Sequence, residues 1–426
     1  MNVYDSDRIL DNLKKINYSQ TLNPIEANCY ILNTCHIREK ATEKVYHDIG
    51  RVKKIFKDKK KPIVIVAGCV AQAEGEILMK REKYIDGVIG PQSYHYLNDI
   101  LQQIEIKNKK INLTEFEAEE KFEDLKYIKK TGKVSSYLTI QEGCDKFCKF
   151  CVVPYTRGPE FSRKFDQIIS EAKQLVNNGA REIILLGQNV NAYKFSNKRL
   201  SDLIIKLEEI NGLERIRYTT SHPKDMSEDL IKLHGISEKL MPLLHLPVQS
   251  GSDKILNNMN RKHTKDDYLN IIYKLKEIRP NIEFSSDFII AYPNETEQDF
   301  DLSLNLLKEI KFINTYSYIF SPRLGTPAAK LNLIEKKTAK ERLNEFQNLS
   351  KKIKKDYREN LLSKRIKVLF ENEIKDNYYF GRDEHQNSVI VNSKENIKGK
   401  IMYVKIKDFN LNTLTGELVS QKNIAA

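Results

Sequence analysis

The stretch EGCDKFCKFCVVPYTRG, from Glu142 to Gly158, contains three of the six cysteines in the chain. Cys144, Cys148 and Cys151 have the spacing C-x3-C-x2-C, and they follow a strand-like run, SYLTIQ. Three thiolates on one short loop can bind three irons of a 4Fe-4S cluster and leave the fourth iron without a protein ligand. An iron with an open position can chelate a substrate. The alternatives are a zinc site, which usually recruits a fourth Cys or His, and a chance cluster of thiols.

The sequence around this loop predicts a barrel. Between residues 130 and 360, helical patterns separate six strand-like runs, which read SYLTIQ, EIILLG, RIRYTT, PLLHLPV, IEFSSDFII and TYSYIF. Strands that alternate with helices favour parallel pairing. Six strand–helix units are two fewer than a full barrel needs, so we expect a partial (β/α)6 barrel with the three cysteines at the C-terminal mouth of its first strand.

Residues 1–106 predict a separate N-terminal domain, an open parallel α/β sheet. Its strand-like runs are CYILN, PIVIVAG and YIDGVIG, and its helical patterns are DSDRILDNLKKI with possible caps Asp5 and Ser6, IREKATEKVYHDIGRVKKIF and EGEILMKR. Cys35 and Cys69 each follow a strand, so we expect both thiols at the sheet edge where ligands bind. Cys29 begins a strand about 20 Å from Cys35, too far to share a site with it.

Two further segments complete the predicted organisation. Residues 107–129 are charged and poor in apolar side chains, and we interpret them as a linker. Residues 363–426 contain short strand-like runs split by Gly, Asn and Asp, which is typical of a small all-β barrel, OB-like in size. The stretch before that barrel, AKERLNEFQNLSKKIKKDYREN, predicts a basic helical connector.

The composition of the 426 residues favours a polyanionic partner. Lys and Arg number 71 against 58 Asp and Glu, which gives a net charge of +13 and a pI near 9.1. A surplus of this size favours RNA or DNA, although a basic protein can simply be soluble. No run approaches the roughly 18 apolar residues of a membrane span, and the N-terminus has no signal-peptide pattern. We therefore expect a cytoplasmic protein without membrane contact, whose thiols act as ligands.

Polar residues near the ends of the predicted barrel strands are candidates for binding a cofactor or substrate. His245 and Gln249 end the fourth strand, and Ser285 and Asp287 interrupt the apolar run of the fifth. Polar residues inside a barrel usually mark a site or bond the backbone. A histidine satisfied within the core is the alternative for His245. Arg157, close to the cysteine loop, could contact a phosphate or carboxylate, or form a surface salt bridge.

The motifs of this chain resemble those of the radical S-adenosylmethionine methylthiotransferases. The stretches that carry the likeness, besides the cysteine motif, are CVVPYTRG, LLGQNVNAY, TTSHP, HLPVQSGSD, MNRKHT, SSDFI and FSPRLGTPAA, and LNTCHIREKA and GCVAQAEGE for the N-terminal domain. The first two are most similar to the branch that acts on N6-(dimethylallyl)adenosine in tRNA. The C-terminal barrel resembles the TRAM domain of the family, an RNA-binding module. The likeness covers essentially the whole chain.

The resemblance implies the chemistry of the Cys144, Cys148 and Cys151 cluster. In this family the cluster binds S-adenosylmethionine and cleaves it to a 5′-deoxyadenosyl radical, which takes hydrogen from C2 of the adenine. A second S-adenosylmethionine supplies the methyl group. The implied partners are the tRNA anticodon stem-loop and a reductant such as flavodoxin or ferredoxin, and we expect a monomer.

The resemblance also implies a second 4Fe-4S cluster, which supplies sulfur and is bound by three N-terminal cysteines. Two of them map onto Cys35 and Cys69, whereas the third should stand just before the segment matching MNVYDS, where this sequence starts. Because the first helix also has no strand before it, we expect the true start upstream of Met1, with a first strand and the third cysteine.

One stretch departs from the family pattern. AYPNET, from Ala291 to Thr296, stands where relatives usually have GFPGET. Asn294 tolerates a positive φ better than other non-glycine residues, so we expect the turn to survive.

The function implied is methylthiolation of C2 of N6-(dimethylallyl)adenosine next to the anticodon. The nearest alternative is a methylthiotransferase that acts on another tRNA adenosine or on a ribosomal protein. Two others are an RNA-binding protein that has lost sulfur transfer, and a zinc-bearing RNA-binding protein.

Overall fold

The computed structural model describes residues 2–35, 40–114 and 132–419, and these form two compact units. The first unit consists of residues 2–35, 40–114, 142–161 and 321–330, and the second of residues 132–141, 162–320 and 331–419. The cysteine loop therefore belongs to the first unit, and the strands of the expected barrel belong to the second. The domain boundaries expected from the sequence stay a prediction.

The N-terminal part of the first unit is a four-stranded parallel sheet with the order β1-β2-β3-β4, as expected. Its elements are α1 (Asn2–Lys15), β1 (Cys29–Thr34), α2 (Lys40–Ile55), β2 (Ile63–Gly68), α3 (Cys69–Arg81), β3 (Gly87–Ile89), α4 (Leu97–Lys107) and β4 (Ile111–Leu113). Alternate residues of β2 enter two separate cores, Val64 and Val66 with α2 and α3, Ile65 and Ala67 with α1 and α4. Helices thus cover both faces of the sheet.

Three details of this unit differ from the sequence-based expectation. α1 begins at Asn2, so Asp5 and Ser6 lie within the helix rather than capping it. α3 begins at Cys69, before the expected EGEILMKR, because the consecutive buried residues Val70 and Ala71 hide the helical period. β4 pairs with β3 inside the stretch expected to be a linker, since a strand of three residues is too short to show a period.

The second unit contains the six expected parallel strands. They form two three-stranded sheets, β5-β8-β11 and β12-β13-β14, which an isolated bridge between Ile216 and Leu240 joins in chain order. This arrangement confirms the partial barrel. The elements from residue 135 to 319, including α5 and short strands around the cysteine loop, are β5 (Ser135–Thr139), β6 (Gln141–Glu142), α5 (Val153–Arg157), β7 (Phe161–Ser162), α6 (Phe165–Asn177), β8 (Glu182–Leu186), β9 (Lys194–Phe195), β10 (Lys198–Arg199), α7 (Leu200–Glu208), β11 (Arg215–Tyr218), α8 (Glu228–Ile236), β12 (Leu243–His245), α9 (Asp253–Asn258), α10 (Lys265–Ile278), β13 (Glu283–Ile290), α11 (Glu297–Ile310) and β14 (Asn314–Ile319).

The C-terminal part of the second unit is a closed five-stranded barrel, as expected. Its strand order is β15-β16-β17-β19-β18, and pairing of β15 with β18 closes it. The elements are α12 (Lys336–Glu359), which is the expected basic connector, β15 (Arg365–Lys375), β16 (Tyr378–Asp383), β17 (Ser388–Asn392), β18 (Ile401–Phe409) and β19 (Thr413–Leu418). Closure leaves no unpaired sheet edge that could pair with other chains.

Two arginines of β11 donate hydrogen bonds to main-chain carbonyl oxygens of the C-terminal barrel. Arg215 donates from Nη1 to the carbonyl oxygen of Arg382 at 2.8 Å. Arg217 donates to the carbonyl oxygens of Asp383 at 2.9 Å and Glu384 at 2.8 Å. Both arginines are buried, and Arg217 also pairs with the carboxylate of Glu182 at 2.8 Å, which offsets the cost of burying its charge.

No helix in the described ranges is both long enough and apolar enough to cross a membrane.

Candidate functional site

The loop with Cys144, Cys148 and Cys151 is closed by main-chain hydrogen bonds. The Cys144 amide donates to the carbonyl oxygen of Gly158 at 3.2 Å, and the Cys151 amide donates to that of Cys148 at 2.9 Å. The first bond joins the two ends of the loop, and the second makes a tight turn between two of the thiols. Cys148 is buried, and the other two cysteines are half-buried. The loop ends here because α5 starts at Val153, two residues after the last cysteine, with Val152 as its N-cap residue.

A glycine makes the base of this loop possible. Gly143 has a φ of 75°, and a Cβ atom there would lie 1.9 Å from the carbonyl oxygen of Pro159 and 2.6 Å from that of Gly158. Any other residue would force the two ends of the loop apart. The position therefore requires glycine both for its backbone conformation and for the close approach of the main chain.

The three thiols lie close enough together to act on one another's charge. Burial, with further contributions from the neighbouring thiols of Cys151 and Cys148, raises the pKa of the Cys144 thiol to about 12. Such a thiol loses its proton at neutral pH when a cation such as iron replaces it. The amide of Val153 also points at the sulfur of Cys151, at 3.5 Å. Hydrogen bonds to sulfur are typical of iron–sulfur sites.

This donor set fits a 4Fe-4S cluster. Among the described residues, no group of three or more His, Cys, Asp or Glu side chains is arranged to hold a single metal ion. A cluster makes a different demand, since each thiolate binds its own iron. Three thiols on one short loop, with Cys144 near enough to feel the charges of the other two, meet that demand, and Cys144, Cys148 and Cys151 are the residues that would bind the cluster.

Cys35 and Cys69 lie where the sequence predicted them. Thr34 pairs with Gly68 in the parallel register of β1 and β2, so the next residue of each strand, Cys35 or Cys69, stands at the same edge of the sheet. Cys29 pairs with Ile63 at the opposite end of the same two strands. The structure therefore separates Cys29 from the other two thiols, as expected. The role of Cys35 and Cys69 as cluster ligands stays a prediction.

The side chain of Arg157 lies in a buried group of charges beside Cys69, rather than at the surface. Its Nε donates to the Cys69 sulfur at 3.3 Å, and its Nη2 lies 2.5 Å from an oxygen of Asp5. Nη1 lies 3.8 Å from the carboxylate of Glu142. Burial disfavours the charge of Arg157, but Asp5, Cys69 and Glu142 outweigh it and raise the pKa of the guanidinium well above its usual value. The salt bridge that the sequence suggested as one alternative is present, but it is buried rather than at the surface. Contact of Arg157 with a phosphate or carboxylate of a bound molecule stays a prediction.

Sequence reasoning missed two members of this buried group. The sequence predicts Asp5 as a possible helix cap, and nothing in its neighbourhood points to Arg157, which lies 152 residues away. No sequence pattern marks Tyr94. Its side chain is buried, and its hydroxyl has no hydrogen-bond partner among the described residues. Burial, followed by the charge of Asp5, raises the pKa of Tyr94 well above its usual value, and Cys69 acts in the same direction.

Three of the four polar barrel candidates meet where the end of β12 lies beside the middle of β13. His245 Nδ1 lies 2.9 Å from the hydroxyl of Ser285, and its Nε2 lies 3.5 Å from a carboxylate oxygen of Asp287. The side chains of His245 and Asp287 keep 21% and 35% of their exposure, so His245 is not a histidine satisfied within the core. The group could bind a polar part of a cofactor or substrate. Its role stays a prediction.

Gln249 joins this group through its main chain. Its amide donates to the carbonyl oxygen of Asp287 at 3.0 Å, and its φ is 79°. Ser286, between Ser285 and Asp287, bonds the backbone, which is the other role that the sequence left open for polar residues inside a barrel. Its hydroxyl accepts from the amide of Val248 at 3.0 Å and donates to the carbonyl oxygen of Leu246 at 2.9 Å, and it is fully buried.

Comparison with known proteins identifies the family. Residues 138–307 match the radical SAM superfamily, and residues 1–90 match a family described as uncharacterized protein family UPF0004. The tRNA-2-methylthio-N(6)-dimethylallyladenosine synthase of Pelagibacter ubique is 59% identical over 100% of this chain and 97% of its own length. That of Rickettsia canadensis is 48% identical over 98% of this chain and 97% of its own length.

Solved structures share the fold at low identity. The radical S-adenosylmethionine methyltransferase TsrM from Kitasatospora setae aligns with a TM-score of 0.58 at 13% identity, over 76% of this chain and 74% of its own. The cobalamin-dependent S-adenosylmethionine radical enzyme OxsB aligns with a TM-score of 0.53 at 13% identity, over 82% of this chain and 53% of its own. These likenesses confirm the radical SAM fold. With the full-length identity to the curated relatives, they show that the chain belongs to the family of tRNA-2-methylthio-N(6)-dimethylallyladenosine synthases.

Proposed function

We propose that this enzyme transfers a methylthio group to C2 of N6-(dimethylallyl)adenosine next to the anticodon of tRNA. It would use S-adenosylmethionine both as the radical source and as the methyl donor. The observation that carries the proposal is the identity of 59% over 436 aligned residues to a synthase of that name, which spans the N-terminal sheet, the partial barrel and the C-terminal barrel together.

Each part of the chain has a task in this reaction. Cys144, Cys148 and Cys151 would bind one 4Fe-4S cluster, and Cys35 and Cys69 would provide two ligands of a second. A 4Fe-4S cluster with an open iron supplies, when bound there, the electron that starts the cleavage of S-adenosylmethionine. The chain itself shapes the loop through Gly143 and keeps Cys148 away from water.

The polar group at the end of β12 and within β13 would orient a bound molecule. The ring of His245 lies 2.9 Å from the hydroxyl of Ser285 and 3.5 Å from the carboxylate of Asp287, so the three offer a ring nitrogen, a hydroxyl and a carboxylate together. Such a set can bind the ribose hydroxyls or amino group of S-adenosylmethionine, or an edge of the target base. A base in the anticodon loop is cheaper to unstack than one within a duplex, which makes it accessible to a barrel mouth.

The C-terminal barrel and α12 would hold the tRNA, the barrel in the manner of a TRAM domain. α12 carries nine Lys and Arg residues and four Asp and Glu residues, and Lys351, Lys352 and Lys355 are exposed. Tyr378 of β16 is 49% exposed and can stack on an unpaired base, whereas its neighbour Tyr379 packs in the barrel core. A flavodoxin or ferredoxin would supply electrons, and the enzyme would act as a monomer in the cytoplasm.

The test is nucleoside analysis of tRNA treated with the reconstituted enzyme. tRNA that carries N6-(dimethylallyl)adenosine but no methylthio group is incubated with enzyme, reductant and S-adenosylmethionine. We expect the 2-methylthio nucleoside by mass spectrometry, and none with the Cys144→Ala variant. A methylthio group on a different adenosine would show that the enzyme acts on that nucleoside instead. Formation of 5′-deoxyadenosine with unchanged tRNA would instead show that this chain has lost sulfur transfer.

A further inference from the structure

Arg157 connects the two groups of cysteines in the first unit. It is the last residue of α5, six residues after Cys151, and its side chain reaches Cys69 at the start of α3. It is 4% exposed. A buried arginine needs partners for its charge, and Asp5 and Glu142 provide two carboxylates. The contact with Cys69 is additional to what the charge requires.

We propose that Arg157 is a positioning residue for the N-terminal cluster. Its Nε–H fixes the thiolate of Cys69, while Asp5 fixes the guanidinium. The proposal rests on the proposed function, in which Cys69 is a cluster ligand. Arginine suits this task because its planar fork donates from Nε along one edge while the Nη groups hold a carboxylate, and because it stays charged. A lysine has one flexible ammonium and cannot make both contacts in a fixed geometry.

The balance of charge around Cys69 favours a cation there. Arg8 lies 3.9 Å from the second oxygen of Glu142, so among the described residues the charges of two arginines and two carboxylates balance in this buried group. A thiolate at Cys69 is then an additional negative charge in a place with little water. Burying an unmatched charge is costly, and a bound iron would remove that cost.

Tyr94 is buried, and the charges of Asp5, Arg157 and Cys69 act on its hydroxyl. That hydroxyl is one of several buried polar atoms without a hydrogen-bond partner among the described residues. It therefore has a hydrogen bond to offer to a bound group. A cluster sulfide or a cluster-bound thiolate would accept the hydrogen bond that this hydroxyl can donate.

A hydrogen bond from Arg157 to a ligand sulfur has a measurable consequence. Hydrogen bonds to the sulfurs help to set the reduction potential of an iron–sulfur cluster, because they stabilise the more negative, reduced state. Loss of the Nε–H contact should therefore make the N-terminal cluster harder to reduce. A residue that only supports the fold would change the stability of the protein but not this potential.

The test measures the potential of the N-terminal cluster in the full-length chain. The background variant has Cys144, Cys148 and Cys151 replaced by alanine, so that iron binds at the N-terminal site alone. In that background, Arg157→Lys keeps the charge opposite Asp5 but loses the fork. We expect iron to load, and the equilibrium constant for one-electron reduction to fall at least tenfold, about 59 mV.

Two further variants separate the contact from general destabilisation. Arg342→Lys is the matched control, because Arg342 is also a buried arginine between two carboxylates, those of Glu295 and Glu297, but contacts no thiol in the described structure. It should lower stability and leave the potential unchanged. If Arg157→Lys does not fold, the double variant Asp5→Asn with Arg157→Gln takes its place, because it removes both charges of the pair. It should lower the reduction potential of the N-terminal cluster by the same amount.

The outcomes distinguish this inference from the proposed function. If the background variant with Arg157 intact binds no iron, this chain holds no N-terminal cluster, and the N-terminal half of the proposed function fails together with this inference. If iron binds and the Arg157 variants keep the potential of the background variant, only the positioning role is overturned. A tenfold fall in the equilibrium constant for reduction in Arg157→Lys, without such a fall in Arg342→Lys, supports the positioning role.

Discussion

At the scale of single residues, the cysteine loop depends on the absence of one side chain. Gly143 joins the loop to β6, at a place where a Cβ would meet main-chain oxygens rather than flexible side-chain ends. Main-chain oxygens cannot move aside unless the loop opens. The geometry of the three thiols is therefore set partly by a residue that binds nothing.

We predict that Gly143→Ala prevents assembly of the cluster on this loop. The new methyl group should force the loop ends apart, and reconstitution should yield about four irons fewer per chain. Gly179→Ala is the control, because Gly179 also has a positive φ, of 102°, but a Cβ added there would meet no described atom within 4 Å. Iron and sulfide analysis after anaerobic reconstitution measures the result. A full iron content in Gly143→Ala would show that the loop adapts.

Residue types and spacing predicted the cysteine sites but not their surroundings. The C-x3-C-x2-C spacing is local, so it can be detected without knowledge of the fold. Asp5 and Tyr94 contribute through the tertiary fold, and neither lies within a pattern that identifies its partner. The turn at Ala291 to Thr296 was correctly expected to survive, since Ala291 and Asn294 take φ values of 57° and 67°. That conformation costs a residue such as Ala291 about 1–2 kcal/mol.

At the scale of elements, α11 ends in a left-handed residue that is not glycine. Lys311 has a φ of 58°, and its amide donates to the carbonyl oxygen of Leu307 at 3.1 Å. This is the position where helices most often carry glycine. The side chain is exposed, so its replacement removes no packing.

We predict that Lys311→Gly raises the free energy of unfolding by about 1 kcal/mol, because glycine adopts this conformation without strain. Lys308→Gly is the matched control. Lys308 is an exposed lysine inside the same helix, where glycine should cost about 1 kcal/mol. Denaturant titration of both variants measures the difference. Destabilisation by both changes would contradict the strain argument.

Elements whose apolar residues recur with a clear helical or strand period were predictable from the sequence, and elements without such a period were not. The six barrel strands stood out because apolar runs alternate with amphipathic helices. β4 has three residues, and its pairing with β3 depends on contacts that the sequence does not display. α3 was placed too late along the chain because its first turn is buried almost continuously, which conceals the helical period.

At the scale of the whole molecule, buried histidines couple stability to pH. His234 of α8 is buried, and its Nε2 lies 2.7 Å from the hydroxyl of Tyr218. Burial, followed by the charge of Arg279, lowers the pKa of His234 to about 3. An unfolded chain binds this proton near pH 6.5, whereas the folded protein does not. Stability from this group is therefore present above pH 6.5 and is lost as the pH falls toward 3.

We predict that His234→Gln weakens this pH dependence. Between pH 6.5 and 5.5, the parent protein should lose about 1 kcal/mol more of its free energy of unfolding than the variant does. His47→Gln, at an exposed position on α2, is the control. Urea denaturation at several pH values measures both slopes. Equal slopes for the parent protein and His234→Gln would contradict the effect of burial.

The domain content of the chain was predictable from sequence, because the parallel sheet, the partial barrel and the closed barrel each have their own pattern of strands. How the chain groups into compact units was not. Residues 142–161 and 321–330 belong to the first unit, although they lie in the middle of the predicted barrel domain. Contacts between distant segments determine this grouping, and strand periodicity carries no information about them.

The way Arg215 and Arg217 hold the C-terminal barrel has a consequence for its evolution. Both arginines bind carbonyl oxygens, which every residue possesses, so the contact is indifferent to which side chains the barrel carries at Lys367, Arg382 and Glu384. Mutations can therefore alter the outer surface of the barrel while its attachment to β11 persists. The side chains of this barrel are free to vary without weakening the bonds that hold it in place.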